Sequence, residues 1–503
     1  MGRGGNPTEG RCLLGIDVGQ TAVKAVIHTA ELCPVAVGHR ASPVDRSTPG
    51  HAERSQQELW DAVADAISDA IRVSGISPTS VAAVGIAGHG DGLHVLSTRG
   101  LPLTPAITAM DSRAHREASE LAEDPERTRL ILDRTGQVPT AGSVGHLLRH
   151  LLRADPGLLN GAGAVLSCKD TIRYRLTGTL GTDYSDACAS FLDLATAQWS
   201  AEVVAAYGLP PEVIGMLPPI THSADIVGTV TDVAAERTGL AVGTPVIAGM
   251  HDVQAAAIGM AALTPGLLSI AAGSFNTNGV TTTQTDIDPR WQSRLSITPD
   301  LRIAMSTSAT AAPALEWMLT TLGATTASAR TELFARASHL SPETSVPLVL
   351  PFFYDSPYGA HVPASLTGVR GWHESAHMLR GVLEGIALMH VWHTRALAER
   401  FSWRHPIMLG GGLAKSPLYV QLVANALRAP VSVVVNDEPG ALGAAALAGV
   451  AVGVLDSLAA AQQLVDMSAE IEPTAASADY WADVCDAFDS LIGDRIDQRS
   501  TVR

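Results

Sequence analysis

Apolar residues in this chain fall in short runs that end on polar, glycine-rich turns, and one such run occurs twice. Leu13-Leu14-Gly15-Ile16-Asp17-Val18-Gly19-Gln20-Thr21 has a counterpart half a chain later in Leu267-Leu268-Ser269-Ile270-Ala271-Ala272-Gly273-Ser274-Phe275. Both leucines, the isoleucine and the turn glycine coincide, and Val26 matches Val280 further on. Each copy reads as strand, tight turn, strand. Glycine turns let backbone N–H groups approach an anion closely, so the repeat points to nucleotide phosphates clamped between two similar halves. The plainer reading is two buried hairpins that look alike because Leu, Ile and Gly are common. Only the first copy carries an acid, Asp17, where the second has Ala271. That asymmetry suits a magnesium ligand on one side.

The same patterning predicts the other elements. Leu59, Val63, Ala66, Ile67 and Ile71 share one face of a helix over 53–73, and 81–87 is a buried strand that enters the loop Gly88-His89-Gly90-Asp91-Gly92. A helix-rich region follows to about 180, and Pro210-Pro211 and Pro218-Pro219 punctuate its end. A new strand begins at 246–249, followed by a helix over 253–262. Further helices are expected over 376–400, 418–427 and 441–450, with strands at 407–409 and 431–435. A domain boundary is placed near 243, giving domains 1–243 and 244–486 and a polar tail over 487–503.

A chain of 503 residues is long enough for two cores, and 46% hydrophobic with 17% charged residues is globular composition. The net charge of −16 argues against a nucleic-acid partner. Five cysteines without a CxxC pair read as reduced thiols of a cytoplasmic protein. No apolar stretch is long enough to span a bilayer, and residues 1–11 are too polar for a secretory signal. No membrane partner is expected, and a homodimer is allowed.

The candidate chemistry lies on the glycine loops. A GxxxxGK[ST] loop is absent, and no GxGxxG follows the first strand, which disfavours P-loop and dinucleotide folds. Gly19, Gln20 and Thr21 form the first phosphate turn, with Lys24 as a cation and Asp17 as a magnesium ligand, directly or through water. Asp17 is otherwise a turn former. Asp252 stands where a strand gives way to a helix, and there it either caps the helix or takes a proton from a substrate hydroxyl. Gly410-Gly411-Gly412 leaves flat backbone for an adenine or ribose face, or is simply a strand-to-helix turn. Segment 438–445 reads as a helix of small residues for close packing. His89, Gly90 and Asp91, with Asp111 and Arg113, suit a polyhydroxylated ligand; their spacing matches no common zinc pattern.

In order and spacing, these pieces resemble the FGGY carbohydrate kinase family. The resemblance runs from about 12 to 485 and includes 169–178 (KDTIRYRLTG), 182–187 (TDYSDA), 249–252, 409–416 and 438–447. It implies an α/β fold of two actin-like, ribonuclease H-like ATPase domains with ATP and sugar meeting in a cleft between them. It implies Asp252 as catalytic base and substrate contact, Asp17 linked to magnesium, Gly273-Ser274 as second phosphate turn, and Gly411, Gly412 and Ser416 beside the adenosine. The glycine loop, Met110-Asp111-Ser112-Arg113, and Glu384 to Ala387 with His390 and His393 are most similar to L-xylulose kinase and erythritol kinase members. The expected activity is ATP-dependent phosphorylation of a terminal hydroxyl of a small ketose or polyol. A non-catalytic sugar sensor or scaffold and another actin-like ATPase are the alternatives.

Overall fold

The computed structural model describes residues 11–273, 275–354, 356 and 362–497. Contacts gather them into two units. One holds the chain up to Pro265, together with Thr281–Ala304 and Glu438–Asp466; the other holds Gly266–Val280, Met305–Asp437 and the chain from Met467 on. The units therefore interleave along the chain rather than meeting at one cut near 243. No helix among the described residues is long and apolar enough to cross a membrane.

The first unit is built on a mixed sheet. β1 (Cys12–Val18) pairs antiparallel with β2 (Ala22–His28), and β2 with β3 (Pro34–Ala41). On its other side β1 runs parallel to β4 (Val81–Gly88). β4 is extended by two parallel partners, β5 (Pro245–Ile247) and β6 (Met250–His251). Alternation along β1 decides what covers each face. Leu14 and Ile16 point to one core, which they share with Leu59, Val63 and Ile67 of α1 (Gln56–Ser74). α1 begins at Ser55, whose side chain accepts from the Glu58 N–H, and ends at Gly75 in the left-handed region. Leu13 points the other way, into a core with Ala255 and Ile258 of α2 (Asp252–Gly259) and Leu442 and Ala445 of α3 (Pro439–Ala451).

α3 lies unusually close to the sheet. Gly15 and Gly85 are register partners, and a β-carbon on either would stand 1.9 Å from a backbone oxygen of α3, that of Ala441 or Ala444. The small residues of 438–445 thus act in close packing, as their composition suggested.

The second unit repeats the plan. Five of the six strands of its sheet are β7 (Leu267–Ala272), β8 (Asn276–Thr282), β9 (Arg302–Ser308), β10 (Arg404–Gly410) and β11 (Val431–Val433). They lie in the order β9-β8-β7-β10-β11, the spatial order of β3-β2-β1-β4-β5. The duplicated sequence run is therefore the central strand of each sheet. Helices Ser375–Ala398 and Pro417–Leu427 pack together here, and His390 links them, with Tyr419 Oη and Asn278 Oδ1 each 2.8 Å from its ring. The expected polar tail is corrected in part, because helix Ala478–Asp497 continues past 486. Its buried residues Trp481, Cys485, Phe488 and Ile492 keep one apolar face going.

Candidate active site

Parallel strands bring three distant segments to one edge. Asp17 is in register with Ala87, and Gly88 with both Val18 and His251. Asp17 is the last residue but one of β1, His89 follows β4, and Asp252 follows β6, so all three reach the carboxyl end of the first unit's sheet. Asp252 is also the first residue of α2, where the helix dipole favours a carboxylate.

The two carboxylates are tuned in opposite directions. Burial works against the charge of Asp252, but His251, His89 and the Val253 N–H outweigh it and hold its pKa below the usual range. Asp17 is raised to about 7 by burial and then by the charges of Asp252 and Glu438, against the pull of Lys24. Asp252 is kept ionised, whereas the positive charge near Asp17 is too weak to offset its burial and its acidic neighbours. No group of three or more His, Cys, Asp or Glu among the described residues makes a metal cage. A lone under-compensated carboxylate fits a magnesium ion held otherwise by phosphate oxygens and water.

Two arginine–histidine pairs flank Asp252. Arg54 Nη2 lies 3.0 Å from His89 Nε2, and Arg294 Nη1 lies 3.0 Å from His251 Nε2. His251 Nδ1 is 2.9 Å from Asp252 Oδ1. Burial and Arg54 push His89 down to about 4, so its ring is neutral. On His251 burial again opposes charge while Asp252 draws a proton and Arg294 repels it, with the net direction upward. Gly90 permits this packing, since a β-carbon there would sit 2.0 Å from His251 Nε2. Asp91 occupies the left-handed region at φ 54 and accepts from Arg294 Nη2 at 3.2 Å, and Gln137 Oε1 accepts from the same nitrogen at 2.9 Å.

Asp111 is tied down from all sides. It accepts from the Ala52 N–H at 2.7 Å and from the Arg113 side chain at 2.8–3.0 Å, and Arg113 also pairs with Glu53. Asp111 therefore aims Arg113. In the first glycine turn, Gly19 N–H donates to Ala22 O at 2.9 Å, and Arg54 donates to Gln20 O at 3.1 Å. The Thr21 carbonyl accepts from the Ser42 N–H at 2.8 Å, and Lys24 is ion-paired with Glu438.

Sequence reasoning missed Arg54, Arg294 and Gln137, single residues outside any motif, and gave His251 no role although it lies in the 249–252 segment. It also gave no role to a buried charge cluster: Lys169 Nζ lies 2.6 Å from Asp170, 2.9 Å from Asp183 and 3.1 Å from Asp186. Asp183 holds Ser185, whose Oγ accepts the His251 N–H at 2.9 Å, so the cluster braces β6 at the site. The available signal was charge in consecutive positions of segments 169–178 and 182–187.

In the second unit, Gly273 follows β7 and Gly411 follows β10, two parallel strands with Ala271 opposite Gly410. Gly411 needs its φ of 98, and its β-carbon would meet Ala272 O at 2.6 Å, whereas Gly273 and Gly412 face open space. That bare backbone fits a nucleotide. Ser416 caps the helix that follows, accepting from the Tyr419 N–H at 3.4 Å. Ser274 lies outside the described residues.

Residues 12–259 match the N-terminal domain of the FGGY family of carbohydrate kinases, and 268–452 match its C-terminal domain. The chain is 29% identical over 456 residues to the L-xylulose/3-keto-L-gulonate kinase of Escherichia coli K12, covering 90% of each. It is 27% identical over 514 residues to the autoinducer-2 kinase of that strain, covering 96% of this chain and 94% of that protein. The crystal structure of xylulose kinase from Rhodospirillum rubrum superposes with a TM-score of 0.84 at 26% identity, covering 96% of this chain and 98% of that one.

Proposed function

The chain belongs to the FGGY family of carbohydrate kinases and phosphorylates a sugar with ATP, and from that premise we propose that its acceptor is a terminal hydroxyl of a small ketose or polyol, an L-xylulose-like pentulose first. The observation that carries the mechanism is the strand register that brings Asp17, His89 and Asp252 to one edge of the sheet. Asp252 accepts the hydroxyl proton as that oxygen bonds to the γ-phosphorus and the bond to the β–γ bridging oxygen breaks. Asp17 would hold a magnesium ion, which would supply neutralisation of charge on the phosphates of ATP, the phosphoryl donor. Gly19, Gln20 and Thr21 on the first unit hold phosphates, as do Gly273 and Ser274 on the second, while Lys24 stays with Glu438 beside the turn. Gly411, Gly412 and Ser416 receive the adenosine. His89, Gly90, Asp91 and Arg113 choose the carbon skeleton, with Asp111 acting through Arg113. Five cysteines that form no disulfide among the described residues, four of them buried, suit a cytoplasmic enzyme.

Coupled ADP-release assays over pentuloses, tetritols, pentitols and glycerol test the acceptor. The highest kcat/KM is expected with L-xylulose or a close pentulose, and a preference for glycerol or a tetritol would overturn that choice. Asp252→Asn keeps the shape and loses the base. Turnover should fall ~10²–10⁴-fold with folding and ATP binding intact, whereas a mere cap would cost about 1 kcal/mol of stability and little rate.

A further inference from the structure

The contact between Arg294 and His251 is chemically restrictive. A guanidinium has donors only, so at 3.0 Å from Arg294 Nη1 the His251 Nε2 must present a lone pair. A neutral ring with its lone pair on Nε2 carries its proton on Nδ1. We propose that Arg294 is a positioning residue for phosphoryl transfer: by donating to His251 Nε2 it fixes the Nδ1–H tautomer, and the ring then donates to Asp252 Oδ1 and aims that carboxylate. This rests on the reading of Asp252 as the base.

The geometry contains a rival. The Val253 N–H lies 3.2 Å from His251 Nδ1, which as an acceptor would cap α2. In that tautomer Nε2–H would face the Arg294 N–H at 3.0 Å, and the Nδ1 lone pair would face Asp252 Oδ1 at 2.9 Å. Two repulsive contacts oppose one cap bond. With Nδ1 protonated both contacts become hydrogen bonds, at the expense of the single cap bond from the Val253 N–H. A doubly protonated ring again sets N–H against N–H at Arg294.

The surroundings hold this arrangement from every side. Arg294 Nη2 is anchored by Asp91 and Gln137, and Gln137 donates in turn to Cys188 O at 2.7 Å. The His251 backbone is held by Ser185, and Gly90 lies against its ring. The charged and titratable groups that bear on His251 are Asp252, Arg294, Asp186 and His89. Asp91, Arg294, His251 and Asp252 thus form one chain of contacts from the glycine loop to the base.

Asparagine places an amide donor near Nδ1 of a histidine, and glutamine places its amide near Nε2. His251→Asn and Arg294→Lys should keep kcat within about threefold. His251→Gln and Arg294→Met should lose on the order of 10–100-fold, the usual size for removing a group that orients a functional one. The ATP KM should not change in any of them. Nitrogen-15 imidazole spectra of the unmutated protein, with the His251 signals assigned by their loss in His251→Asn, should show Nδ1 protonated and Nε2 bare; Arg294→Met should lose that signature. An Nε2–H tautomer, or His251→Gln outperforming His251→Asn, overturns the inference, and the spectrum does so even if a variant fails to fold. If Asp252→Asn keeps turnover, the base reading fails and this inference with it. If Asp252→Asn is inactive and the tautomer is wrong, the inference alone fails.

Discussion

The ammonium of Lys24 stands 2.5 Å from the carboxylate of Glu438, so the one lysine beside the first glycine turn already has a partner. Lys24 and Glu438 also pull Asp17 in opposite directions. Both side chains are partly exposed, and such pairs contribute about 0–1 kcal/mol. Lys24→Met should therefore raise the ATP KM less than about fivefold, and Glu438→Gln, which frees the lysine, should lower it. A loss above 100-fold in Lys24→Met would show that the lysine leaves Glu438 to grip the phosphates.

Asp17→Ala should cut turnover far more than it weakens sugar binding, and the cut should appear in the dependence on magnesium. Turnover measured against magnesium concentration checks it, since an unchanged curve removes Asp17 from the metal site.

Asp91→Asn suits the backbone, because asparagine tolerates the left-handed conformation at φ 54. It removes the charge that anchors Arg294. The ranking of sugars by kcat/KM should change while the ATP KM stays within about twofold. A shifted ATP KM with an unchanged ranking would reverse the two sites.

Acid should destabilise this protein before it protonates most carboxylates. Burial lowers His28 and His89 to about 4, and His390 and His393 to about 3. Unfolded, each titrates near ~6.5. Below that pH the unfolded chain binds protons the folded one refuses, so stability falls from pH 6.5 to about 3. Tm against pH should drop across that window, and His393→Gln should flatten the lower part. A flat Tm from pH 6.5 to 4 would contradict the burial of these rings.

The fold was legible where one short segment carries its own signal. The strand–turn–strand repeat, the helix under Leu59 and Val63, and the small-residue helix over 438–445 each depend on local spacing, and each is found. The edge that gathers Asp17, His89 and Asp252 depends on strand register, which adjacent residues do not encode. Arg54 and Arg294 escaped for the same reason. Their meaning comes from histidines 35 and 43 positions away, and nothing beside them in the chain marks the pairing. Lys169 was visible only as part of a resemblance, because a buried cluster of one lysine and three aspartates looks, in sequence, like a solvated surface.

Because α3 seals the glycine-lined face of β1 and β4, the order of synthesis matters. A ribosome makes the central strand of the first unit within the first few dozen residues, and the helix that covers it only after residue 439. Until then Leu13, Ala83, Ala87 and Ile247 have no α3 to lie beneath. A nascent chain halted at residue 265 has every strand of that sheet and an uncovered apolar face. Cutting the gene between its two sequence halves should therefore yield fragments that need each other to be soluble, and the growing chain has reason to call on a chaperone until the segment from Pro439 on emerges.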